Sequence, residues 1–76
     1  MTPRNKAHYI ARLDLATAQL TATIRDLATM AIELRTEKRV DLDRAAAQVD
    51  DALSSIAYAG ECAADARAYV KRTGTD

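Results

Sequence analysis

The sequence predicts an all-α protein, an antiparallel two-helix hairpin of coiled-coil type that pairs into a four-helix bundle as a homodimer or with a partner. Three observations carry this. Seventeen of the 76 residues are alanine, against two glycines, one proline and no phenylalanine or tryptophan, a composition of helix formers that lacks the β-branched and aromatic clusters of strands. Two heptad series run along the chain. The order of charges reverses between them.

The first series contains Leu13, Leu20, Leu27 and Leu34, each preceded three residues earlier by Ile10, Thr17, Ile24 and Ala31. This is an a/d pattern over four heptads, and it predicts a long amphipathic helix. Thr2 suits the N-cap and Pro3 the first helical position. A helix over about residues 3–38 would be roughly 50 Å long at ~1.5 Å per residue. The second series is Leu42, Val49, Ile56, Ala63 and Val70, flanked by Ala45, Ala52, Ala59 and Ala66 and by Ala46, Leu53, Gly60 and Arg67. It predicts a helix over about 42–72, ended by Gly74, with a short flexible C-terminal tail.

No glycine or proline separates the two series, so one continuous rod is the alternative. Two features favour a turn near 38–42 and a single hairpin domain over residues 1–76. The step from Leu34 to Leu42 is eight residues and breaks the heptad phase. Arg35, Lys38 and Arg39 are followed by Asp41 and Asp43, and cations suit a helix C-terminus while anions suit an N-terminus. With the turn at 40, residue i faces about 80 − i. Leu27 then faces Leu53, Ile24 faces Ile56, Leu20 faces Gly60, Thr17 faces Ala63, Ile10 faces Val70, Ala31 faces Val49 and Leu34 faces Ala46. Large side chains meet small ones at several levels, as an interdigitating core requires. In this register Gly60 and Ala63, within YAGECAADARAY, form a shallow bed for the leucines of the first helix, and Gly60→Leu would overpack against Leu20.

A chain of 76 residues supports a small core that usually needs reinforcement. One cysteine, Cys62, excludes an internal disulfide, and one histidine, His8, with it falls short of a structural zinc site. No metal or cofactor is expected, and a second chain is the reinforcement left. Ala11, Leu15, Ala18, Ala22 and Ile32 make a weaker apolar stripe outside the seam, a candidate interface for another copy or a partner helix. Within the two expected helices and the turn, opposite-sign pairs at helical spacing occur only about the turn, as Lys38–Asp41, Arg39–Asp43 and Asp41–Arg44. Elsewhere like signs recur, as in Glu33/Glu37 and Glu61/Asp65, which reads first as a plain solvated face and second as charge to be complemented by another chain.

No catalytic constellation is present. Cys62 lies mid-helix beside Glu61, away from His8, and lacks the cationic neighbour of a reactive thiol. Asp50–Asp51 and Glu33/Glu37 match no cation-binding motif, and there is no phosphate loop or nucleophile elbow. The open end of the hairpin gathers Arg4, Lys6, Tyr9, Arg12, Arg67, Tyr69, Lys71 and Arg72, six basic side chains and two tyrosines able to hold phosphates and stack a base. Eleven basic and eleven acidic residues cancel overall, which gives no global attraction to nucleic acid or membrane.

The size, the two-helix heptad layout and the opening MTPRNKAHYIAR resemble the Rop-type RNA-modulating hairpins. The resemblance is architectural and carries over no site residue. It implies a dimeric four-helix bundle and nucleic-acid modulation from the basic open end. The leading expectation is a non-enzymatic interaction module, such as a small phage or bacterial regulator of a host protein. The start of the chain lacks a secretory h-region and no apolar run reaches ~20 residues, so a cytoplasmic location without membrane partners is expected.

Overall fold

A computed structural model describes residues 2–73. Two helices, α1 (Pro3–Thr36) and α2 (Val40–Arg72), fold back on each other as a hairpin of 59 × 14 × 10 Å. The continuous rod is excluded by their packing. At its start α1 is capped as its sequence requires, with the Asn5 amide donating to Thr2 Oγ1 at 3.2 Å and Pro3 in the first turn. Gly74, expected to end the second helix, lies outside the described residues. The last described turn of α2 closes with the Thr73 amide donating to the Val70 carbonyl at 3.1 Å.

The reversal spans 37–39, so α1 stops and α2 starts two residues before the positions expected from the charge order. Lys38 makes it, with φ of 54°, a left-handed conformation that non-glycine residues adopt at a cost. Its amide donates to the Arg35 carbonyl at 3.3 Å, and Arg39 is extended, with φ −116° and ψ 139°. No side chain caps α2. Asp41 and Asp43 in its first turn oppose the positive end of the helix, as Arg35 does the negative end of α1.

Between the helices lies a thin seam. From α1 come Ile10, Leu13, Ala16, Leu20, Ile24, Leu27, Ala31 and Leu34; from α2 come Leu42, Ala46, Val49, Leu53, Ile56, Gly60, Ala63 and Val70. Only Ala31 and Ala46, 3% and 0% exposed, are buried, and the rest are half-buried. Two details differ from the heptad reading. Thr17 is exposed, its hydroxyl donating to the Leu13 carbonyl at 2.9 Å, while Ala16 is the shielded neighbour. The α-helix gains ~20° per heptad on a strict seven-residue repeat, so one residue replaces another along a long seam. The second difference is at Gly60, where an added Cβ meets no atom within 4 Å. The helices do not close tightly on this glycine, and the buried alanines near the turn mark the densest packing instead.

Candidate interaction surface

The two long sides of the hairpin differ in chemistry. On one side, Arg67 Nε donates to Asp14 Oδ1 at 2.7 Å and Arg35 Nη2 donates to Asp50 Oδ2. The hydrogen bond to Asp50 holds the Arg35 pKa above its ordinary value, against partial desolvation, with the Asp50 and Asp43 charges adding to it. Two cations of the long helices thus find their complement on the opposite helix of the same chain, Arg67 on Asp14 and Arg35 on Asp50. These pairs are largely solvated, so each contributes little to stability. Their consequence is directional, because they fence one edge of the seam with charge.

The opposite edge follows from helix geometry. On α1 it is formed by Tyr9, Ala16, Thr23 and Met30, and on α2 by Ala45, Ala52, Ala59 and Ala66. Residues seven apart return to nearly the same angle, and these two rows lie about 160° around their helices from the rows of Asp14/Arg35 and Asp50. None of the eight is charged. Of the two hydroxyls among them, that of Thr23 donates to the Gln19 carbonyl at 3.0 Å and is satisfied within its own helix, and the other is the Tyr9 phenol. Tyr9 and Met30 remain 43% and 46% exposed. Towards the open end this face deepens into a groove of about 290 Å³ lined by Tyr9, Arg12, Leu13, Ala16 and Val70.

Ile10, Leu13, Leu20, Ile24, Leu27, Leu34, Val49, Leu53, Ile56, Gly60, Ala63 and Val70 all lie half-buried between the helices. Ala11, Leu15, Ala18, Ala22 and Ile32 are all exposed on the outer surface of α1, Leu15 and Ile32 at 62% and 66%. Arg25 interrupts that stripe between Ala22 and Ile32. At the open end, several cations already have partners. Arg67 holds Asp14, Lys6 Nζ donates to the Thr73 carbonyl at 3.0 Å, and the Arg72 guanidinium lies 5.4 Å from the centre of the Tyr69 ring. Arg4, Arg12 and Lys71 are exposed. His8 and Tyr9 meet edge to face, 5.4 Å between ring centres. The sequence reading did not single out Met30, Ala16 or Thr23. Their seven-residue spacing was visible, but its meaning depends on which helix edges the ion pairs occupy.

Cys62 is exposed and forms no disulfide. Among the described residues, no three His, Cys, Asp or Glu side chains cluster so as to hold a metal ion, and no helix is long and apolar enough to cross a membrane. Comparison of the chain with protein-family models, curated proteins and solved structures finds no match.

Proposed function

We propose that this hairpin is a non-enzymatic protein–protein interaction module that works by presenting an unfinished helical core to another protein surface. One observation carries the reading. Between two helices of 34 and 33 residues, only two alanines are buried, and no large side chain is fully enclosed. The leucines, isoleucines and valines that set the fold stay half in water. Burying a large aliphatic side chain contributes roughly 1.5–3 kcal/mol only when burial is complete, and small domains have little margin to lose. Covering the seam completes its burial, which ties stability to binding.

The test is the stability of the isolated monomer. Unfolding followed by far-UV circular dichroism at the lowest workable concentration is expected to show a shallow transition of marginal stability. A monomer that unfolds cooperatively with a stability of about 5 kcal/mol or more, in the ordinary range of self-sufficient domains, would contradict the reading.

A further inference from the structure

The charge-free face allows a more specific statement, which rests on the interaction-module reading. We propose that a second copy of the chain covers this face, antiparallel to the first, turn end against open end, with Met30 of each copy seated in the groove of the other.

The groove occupies levels 9–16 near the open end, and Met30, half-exposed on the same face, stands towards the turn. A two-fold axis perpendicular to the hairpin, passing between levels 22 and 23 of α1, brings residue n level with residue 45 − n of the second copy. Met30 then comes level with residue 15, between the groove residues Leu13 and Ala16. The same axis brings Glu33, one helical step beyond Met30, level with Arg12 on the groove wall. An apolar knob and a carboxylate on one copy therefore meet an apolar groove and a guanidinium on the other, twice by symmetry. Tyr9 at the open end comes level with the turn, where α2 carries Ala45 and Ala46.

The parallel arrangement fails on the same residues. It keeps every residue level with its own equivalent and sets α1 of each copy over α2 of the other, so Met30 stands about 25 Å along the axis from the groove and Glu33 about 30 Å from Arg12. The other surfaces are poorer. Docking on the ion-paired edge would desolvate Asp14, Arg67, Arg35 and Asp50, and the outer stripe carries Arg25 at its middle. On the charge-free face, Ala45, Ala52, Ala59 and Ala66 let a second hairpin approach closely without burying a charge of α2, and the Arg12 that lines the groove meets Glu33 of the other copy.

Sedimentation equilibrium of the chain and four variants tests this. Met30 is half-exposed in the single hairpin, so Met30→Glu should leave helix content at high concentration intact while raising the dimer dissociation constant on the order of a hundredfold. Leu15→Glu, on the outer stripe, should leave it unchanged. Arg12→Glu and Glu33→Arg should each weaken association about three- to tenfold, and the double variant should restore it. Within one chain these residues are about 30 Å apart along α1, so rescue reports a contact between copies and only in the antiparallel sense. Loss of the dimer through Leu15→Glu but not Met30→Glu would overturn the choice of face, and absence of rescue would overturn the orientation. A chain that stays monomeric at all concentrations would overturn the second copy as occupant. The interaction-module reading stands or falls separately, on monomer stability.

Discussion

Gly60→Ala probes the room at one atom, where the heptad register expects a mild or stabilising effect through helix propensity and crowding only from a larger side chain. The heptad register placed Gly60 under Leu20 as a point of close approach. In the fold its φ is not in the positive region, and a Cβ built on it has no neighbour within 4 Å. The glycine is therefore required neither by backbone conformation nor by packing. What remains is its intrinsic cost in a helix interior, about 0.8–1.0 kcal/mol relative to alanine. Because the new methyl enters open space, little contact energy adds to this, so Gly60→Ala should stabilise the hairpin by about 1 kcal/mol. For a domain of this size that corresponds to a midpoint rise of about 4–8 °C. Thermal and urea unfolding by far-UV circular dichroism, wild type and variant at matched concentrations, measures it. Gly60 lies on the seam, away from the charge-free face, so association should not contribute to the difference. A lowered midpoint would refute the reasoning, because it would require the α1 side chains to stand closer to Gly60 than the fold places them.

Three further outcomes follow from the same structure. Lys38→Gly should raise stability by about 1 kcal/mol by relieving the left-handed conformation at φ 54°, whereas Lys38→Val should lower it, both read from urea midpoints. Ala46→Leu should cost about 1–3 kcal/mol, since Ala46 is 0% exposed and has no space for added methylenes; an unchanged midpoint would show the turn end to be looser than described. Asp14→Ala should cost no more than about 1 kcal/mol, and the difference from wild type should shrink in ~1 M salt, because the Arg67 pair is largely solvated.

The hairpin was legible because its two determinants are local. A leucine every seven residues specifies an amphipathic helix wherever it occurs, and a reversal of charge order marks adjoining helix ends. The position of the turn was less legible. Lys38 is not a residue whose chemistry favours the left-handed region, as glycine or asparagine would be, so nothing at 38 announces that the chain reverses there. The replacement of Thr17 by Ala16 in the seam reflects the drift of a real helix against an ideal heptad. The open space beside Gly60 escaped sequence reasoning because the helix–helix separation there is set by all the side chains around it. The sidedness of the hairpin was least accessible of all. It depends on contacts such as Arg67 with Asp14, which lie 53 residues apart, and each partner alone reads as an ordinary surface charge.

That sidedness bears on what the alanines of α2 are for. If they served only helix propensity, they would have no reason to avoid sharing rows with charge. Asp43, Asp50, Asp51, Glu61, Asp65 and Lys71 occupy other rows of α2, and the row of Ala45, Ala52, Ala59 and Ala66 carries none. Helix axes pack about 8–10 Å apart, at the short end when the contact residues are small. An alanine row facing solvent gains nothing from this, whereas one facing another helix fixes the separation. In the proposed dimer three features have separate roles. The alanine row sets distance, Met30 in its groove sets register, and Arg12 with Glu33 sets direction. Lengthening the row therefore discriminates between the two accounts: Ala59→Leu, at an exposed position, should be nearly neutral for an isolated hairpin. It should weaken association by holding the copies apart, by about 1–3 kcal/mol per dimer. Equal dissociation constants for Ala59→Leu and wild type would return the alanines to the role of helix formers.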